Sequence, residues 1–267
     1  MINIDIINYH SRIREINKKK DNIRIIDTRP FLDYIRGHIP KSINIELMQF
    51  HWSDTSESGL NEFTNQSCRL FSNFDINKKT NLIFYDNISG PSAARGVWLS
   101  LYLSHHRVAM LNGGFEKWKR EKRVMSKETQ KMCYRRYKCK PNPRVLINAQ
   151  ALKSKLECDK NIQIIDSRSS KEFSGQHVRA CRGGHIPLST NIEWSTNLKN
   201  GRFRSELELK KMYRNFSKKK EIITYCQGGY RAANSFVILR EIGFKKAKMY
   251  LGSWNEWGND YNLPIDI

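Results

Sequence analysis

No apolar run in the 267 residues approaches the roughly 20 that a membrane-spanning helix requires, so a helical membrane protein is excluded. No Cys-x-x-Cys pair is present, and the six cysteines (Cys68, Cys133, Cys139, Cys158, Cys181, Cys226) are scattered. Their placement matches no disulfide framework, which predicts free thiols in a reducing compartment, the cytoplasm. Cys133 and Cys139 have the wrong spacing for a common zinc site and no histidine pair beside them, so no metal is expected. The opening Met1-Ile-Asn-Ile-Asp5 has neither a basic flank nor a cleavage pattern, which predicts no secretory leader. Acidic residues are scarce: 26 Asp and Glu stand against 47 Lys and Arg, a formal net charge of +21.

A charge of that size attracts polyanions, yet no recognised nucleic-acid motif accompanies it. The lysines fall in short runs, Lys18–Lys20, Lys78-Lys79 and Lys218–Lys220, beside apolar strand candidates, and read as solvated loop charges. The chain is rich in Lys, Asn and Ile, the residues of AT-rich codons. Compositional bias therefore explains the charge better than a nucleic-acid partner does.

The organisation shows itself as a repeat. Ile25-Ile-Asp27-Thr-Arg29 recurs as Ile164-Ile-Asp166-Ser-Arg168, and Gly37-His-Ile-Pro40 as Gly184-His-Ile-Pro187. Asn44-Ile-Glu46 recurs as Asn191-Ile-Glu193, Leu82–Tyr85 as Ile222–Tyr225, and Gly113-Gly-Phe115-x-x-Trp118 as Gly252-Ser-Trp254-x-x-Trp257. The order is kept throughout, and the period is far longer than that of a solenoid, so each copy is expected to have its own core. Short apolar runs such as Ile23–Ile26 alternate with helical spacing at Ala94, Val97, Trp98 and Leu101. This is an α/β pattern: two domains, each a mostly parallel sheet flanked by helices. Boundaries are expected at 1–125 for the first domain, 126–143 for a basic, proline-containing linker, and 144–267 for the second. Ser253-Trp-Asn-Glu256 has capping-box spacing and predicts a helix start.

Chemistry concentrates at Glu221-Ile-Ile-Thr-Tyr-Cys226-Gln-Gly-Gly-Tyr-Arg231. A buried-type strand ends on a cysteine, and a glycine-rich turn leads into a helix. At that place in a parallel sheet, loop amides and the helix N-terminus converge. Gly228 and Gly229 are expected to adopt positive φ and turn amides inward. Arg231 adds a permanent cation. Each feature favours an ionised, nucleophilic sulfur. In the first copy Asp86 stands at the equivalent position, with Tyr85 before it as Tyr225 precedes Cys226.

These residues together resemble the tandem-domain rhodaneses, the thiosulfate and 3-mercaptopyruvate sulfurtransferase family. The likeness rests on Asp27-Thr-Arg29 and Asp166-Ser-Arg168, both Gly-His-Ile-Pro segments, Cys226–Arg231 and Leu251–Trp257, and extends over nearly the whole chain. It implies two rhodanese-like domains, the C-terminal one catalytic and the N-terminal one, with Asp86, inactive. It implies a small-molecule donor, thiosulfate, whose outer sulfur passes to Cys226 as a persulfide and then to cyanide or a thiol, with no cofactor. Gln227, Gly228, Gly229, Tyr230 and Arg231 would bind substrate around the sulfur. Arg182, in the stretch Gln176–Gly183 that the first copy lacks, is the expected donor contact, with Arg179 as the alternative; neighbouring Cys181 is read as incidental.

Asp27 and Asp166 are expected to tie loops together with Arg29 and Arg168. His38 and His185 are expected to be structural, since both copies have them, and Trp254 and Trp257 to be packing residues. A 3-mercaptopyruvate donor, a non-catalytic binding module and a phosphatase are the competing functions. Gln227-Gly-Gly-Tyr lacks the Gly-Ser-Gly of many mercaptopyruvate-using relatives. Related phosphatases place five residues between Cys and Arg, whereas Cys226 and Arg231 enclose four.

Overall fold

The computed structural model describes residues 5–7, 22–131, 133–159 and 161–267; the lysine run Lys18–Lys20 and the opening residues Met1–Ile4 lie outside them. The chain divides into two compact units. The first comprises Met1–Phe50, Thr64–Pro141 and Lys199–Phe203, and the second His51–Phe63, Asn142–Leu198 and Arg204–Ile267.

The first unit is built on β1 (Asp5–Ile7), β2 (Ile23–Asp27), β3 (Ile43–Asn44), β4 (Asn81–Tyr85) and β5 (Val108–Leu111). All pair in parallel in the order β1-β5-β4-β2-β3. The helices are α1 (Phe31–Arg36), α2 (Glu57–Ser72, grouped with the second unit through Phe63), α3 (Pro91–Tyr102) and α4 (Gly114–Arg120). Strand β4 is central and is buried from Leu82 to Tyr85, as a strand covered on both faces must be. Its Phe84 packs against α3 so closely that a Cβ on Gly96 would sit 2.3 Å from the ring.

The second unit repeats the plan with β6 (Leu146–Ile147), β7 (Gln163–Asp166) and β8 (Ser189–Asn191). A short ladder, β9 (Leu198–Lys199) with β10 (Arg202–Phe203), whose residues from Lys199 to Phe203 group with the first unit, precedes β11 (Ile222–Tyr225) and β12 (Ala247–Tyr250). The parallel order β6-β12-β11-β7-β8 repeats, strand for strand, that of the first sheet. Its helices are α5 (Ala149–Cys158), α6 (Ser170–Phe173), α7 (Glu206–Met212), α8 (Tyr230–Glu241) and α9 (Ser253–Trp257). Ile164, Ile223, Tyr225, Tyr250, Trp254 and Trp257 pack together in its core. Among the described residues, no helix is long and apolar enough to cross a membrane.

The repeated motifs form the same polar tie twice. Arg29 grips Asp27 through Nε and Nη2 at 3.0 and 2.5 Å and donates to the Gly37 carbonyl at 2.8 Å. Arg168 does the same with Asp166 at 2.9 and 2.6 Å and with the Gly184 carbonyl at 2.8 Å. The Tyr85 and Tyr225 hydroxyls accept from the amides of Ile39 and Ile186. All four charged residues are buried, so each pair holds only because its hydrogen bonds are complete. His38 and His185 are structural here: each ring contacts a backbone carbonyl, of Tyr34 or Phe173, and stacks on that residue's ring.

Three local expectations are corrected. Lys78 and Lys218 are not merely solvated: their ammonium groups donate to the carbonyls of Leu103 (2.8 Å) and Ile242 (2.6 Å), just past the ends of α3 and α8. A cation there satisfies carbonyls the helix leaves unpaired and meets the negative end of its dipole. A helix does begin at Ser253, but without a capping box, because the Ser253 hydroxyl donates to the Tyr250 carbonyl and accepts from the Cys226 amide. Capping boxes form instead at Ser169–Glu172 and Ser205–Glu208. Cys68 and Cys139 form a disulfide, while Cys133, Cys158, Cys181 and Cys226 are free. The basic stretch after residue 126 returns along the first unit: the amides of Arg135 and Tyr137 donate to Ser72, and Tyr137 is buried on Phe71. That path brings Cys139 to α2.

Asp86 follows β4. Its carboxylate accepts the amides of Gly90 (3.0 Å) and Ala93 (3.2 Å) at the N-terminus of α3. Burial nevertheless outweighs these donors and pushes its carboxyl up to about 6. The folded state thus holds this proton at pH values where the unfolded chain has lost it. The resulting loss of stability sets in above about pH 4 and is complete above about pH 6, on the order of 3 kcal/mol. Asp86→Asn removes this titration. Denaturant unfolding of both proteins across this range should show the variant gaining on the wild type as pH rises; parallel profiles would refute the assignment.

Candidate active site

Cys226 lies directly beyond β11, the central strand of the second sheet, and is 1% exposed. Its sulfur accepts the Gly229 amide at 3.1 Å. Gly229 has φ 84°, a left-handed conformation that a side chain would strain, and this turn directs its N–H back onto the sulfur. Helix α8 begins at the next residue, and the first N–H groups of a helix have no partner within it. Gly228 is absent from the positive-φ residues, which corrects that expectation. Its missing side chain serves another purpose: a Cβ there would lie 2.5 Å from Cε1 of His51.

The loop is clamped from behind by α9. The Cys226 amide donates to the Ser253 hydroxyl at 3.2 Å, and the Cys226 and Gln227 carbonyls accept the amides of Trp254 (2.9 Å) and Asn255 (2.8 Å). Ser253 adopts φ 54° while making these bonds, a strained backbone held by its own hydroxyl. Here the Gly-Ser-Trp-x-x-Trp motif has its purpose: it secures the sulfur loop to the core.

The cations are arranged differently from the sequence expectation. Arg231 forms a bidentate pair with Glu172, at 2.6 and 2.8 Å. Burial opposes ionisation of Glu172, but Arg231 and the Ser169 cap outweigh it and hold the carboxyl down to about 2. Burial likewise opposes the Arg231 charge; Glu172 and then Cys226 overcome it, so the guanidinium stays charged beside the sulfur. Arg179 is half-exposed, with Nη1 3.6 Å from the same carboxylate. One carboxylate thus gathers two guanidinium groups, leaving a net positive cluster.

Arg182 is held elsewhere. Its guanidinium donates to the carbonyls of Gly258, Leu263 (2.9 Å), Trp257 (2.8 Å) and Asp260, tying the C-terminal stretch. Gln227 gives its side-chain amide to the Arg179 carbonyl at 2.9 Å and so joins the sulfur loop to the segment carrying Arg179. Tyr230 is buried and stacks on His51, ring centroids 5.5 Å apart. The structure therefore gathers Cys226, Gln227, Gly228, Gly229, Tyr230, Arg231 and Arg179, and engages Arg182 with backbone.

Two residues escaped sequence reasoning. Glu172 had a readable signal, since Ser169-x-x-Glu172 is a capping-box spacing beside the Asp166-Ser-Arg168 motif. His51 had none, because only folding brings it to Gly228. Among the described residues, no group of three or more His, Cys, Asp or Glu side chains is arranged to hold a metal ion.

The chain is similar to known proteins over most of its length. A thiosulfate sulfurtransferase of Pseudomonas aeruginosa is 25% identical over 246 residues, covering 91% of this chain and 90% of its own. The sulfur carrier protein TtuD of Thermus thermophilus is 28% identical over 260 residues, covering 91% and 90%. The crystal structure of a probable thiosulfate sulfurtransferase superposes with a TM-score of 0.72 at 24% identity, over 93% of this chain and 98% of that one. The rhodanese-like domain family matches twice, over residues 12–121 and 148–260, and this chain belongs to it.

Proposed function

We propose that this chain is a sulfurtransferase that carries a sulfane sulfur from thiosulfate to a thiol or cyanide through a Cys226 persulfide. The carrying observation is the Gly229 amide on a cysteine sulfur at the end of the central strand, in the second unit alone. The same place in the first unit holds the carboxylate of Asp86. The names of the Pseudomonas and Thermus relatives agree with this chemistry.

In the first step the Cys226 thiolate attacks the outer sulfur of thiosulfate. The donor's S–S bond breaks, and sulfite leaves with its electron pair. The outer sulfur, now bonded to Cys226, carries the negative charge. Loop and helix N–H groups that favour the thiolate equally favour this persulfide anion, with no reorganisation at the moment of transfer. In the second step a nucleophilic thiolate or cyanide takes the outer sulfur, and the electron pair of the breaking S–S bond returns to Cys226. This is covalent, double-displacement catalysis.

Arg179 and Arg231, offset by Glu172, suit an anionic donor, and Arg179 is the more accessible of the two. We assign it the donor contact in place of Arg182, whose N–H groups hold carbonyls. A phosphatase fits less well: the loop is one residue short, and its arginine is paired with a carboxylate.

Incubation with thiosulfate should add one sulfur to Cys226, seen by mass spectrometry, with matching release of sulfite. Cys226→Ser should gain none while keeping its circular dichroism; brisk phosphate-ester hydrolysis without sulfite release would overturn the proposal. Arg179→Ala should raise KM for thiosulfate by about 10- to 100-fold, the scale of a charge-assisted contact, with kcat less affected. Arg182→Ala should leave KM near wild type and lower the melting temperature instead. The opposite pattern would restore Arg182 as the donor contact.

A further inference from the structure

The stretch His51–Phe63 belongs to the second unit although it lies far from Cys226 in sequence. It is firmly held. Thr55 is buried and donates its amide and hydroxyl to Glu256 at 2.7 to 2.9 Å, while its hydroxyl accepts the Ala149 amide at 3.0 Å. Glu256 also accepts the Tyr250 hydroxyl at 2.7 Å. Glu256 follows Asn255, whose amide fixes the Gln227 carbonyl. Trp52 adds an anchor, its ring packed on Phe63 with centroids 5.6 Å apart. The segment and the sulfur loop are thus pinned to the same helix.

At the head of this segment stands His51. Its ring stacks on Tyr230 at an interplanar angle of 25°, and its edge comes so near Gly228 that an added Cβ would meet Nε2 at 2.8 Å. Both contacts flank the short loop between Cys226 and α8. Cys226 is buried, so a donor must reach its sulfur past the residues packed around this loop.

We propose that His51 sets donor specificity: it narrows the approach to Cys226 so that small anionic sulfane donors enter and bulky aromatic thiosulfonates are hindered. This rests on Cys226 being the sulfur-accepting residue. Gly228 is glycine because of the same ring, and the two positions are therefore energetically coupled. A pocket that discriminates only by bulk supplies about 10- to 200-fold selectivity, which bounds the expected effect.

The test measures kcat/KM for thiosulfate and for benzenethiosulfonate in the full-length protein, together with sulfur loading on Cys226. His51→Ala should raise the benzenethiosulfonate-to-thiosulfate ratio by about ten-fold or more, and His51→Trp should lower it. Gly228→Ala should cut thiosulfate turnover by about ten-fold or more with His51 present, and far less in the His51→Ala background. A ratio unmoved by both His51 variants, with the same Gly228→Ala loss in both backgrounds, overturns the role of His51 while Cys226 still loads. Failure of wild-type Cys226 to load from either donor overturns the sulfurtransferase reading itself.

Discussion

Backbone N–H groups that converge beyond the end of a central parallel strand need an acceptor, and much of this molecule follows from how that need is met. A buried amide without a partner costs about as much as a lost hydrogen bond. In the first unit the chain supplies its own acceptor: the Asp86 carboxylate takes the amides of Gly90 and Ala93. In the second the acceptor is a sulfur, that of Cys226, facing the Gly229 amide. A carboxylate fills such a cup and ends its chemistry. A sulfur fills it and can still form a bond to another sulfur.

The scaffold around the two cups is the same. Both sheets have the same strand order, both Asp-x-Arg motifs grip a glycine carbonyl, and in both a lysine from an earlier loop donates to the carbonyl just past the end of α3 or α8. These shared features hold the fold together and need no reference to catalysis. The differences are what the proposed chemistry draws on. Among the described residues, only the second unit has the left-handed Gly229 turn on a sulfur, the Arg231–Glu172 pair and the His51 ring against the loop.

The legibility of these features in the sequence follows a physical line. Strands, central helices and the sulfur loop are encoded locally, in apolar runs, helical spacing and glycines, and the repeat supplied a second reading of each. The Asp–Arg ties were legible because the residues sit two apart. What escaped depends on long-range packing. Whether Arg182 meets a ligand or the carbonyls of residues 257–263 is decided by where the C-terminal stretch runs, which no spacing encodes. Cys68 and Cys139 read as free thiols because only the return of the basic stretch along the first unit brings them together. The Ser253 hydroxyl had two possible uses, a helix cap or a clamp on Cys226, and tertiary context chose the second. Gly228 looked like a conformational glycine and is a steric one, for a neighbour more than 170 residues away in the chain.

The most direct measurement of the central claim is a crystal structure of the protein frozen after reaction with thiosulfate and before addition of any acceptor. Electron density is expected for a second sulfur bonded to Cys226 Sγ, within hydrogen-bonding distance of N–H groups between Gln227 and Arg231. A second sulfur turned away from those amides into apolar packing, or bonded to a different cysteine, would contradict it.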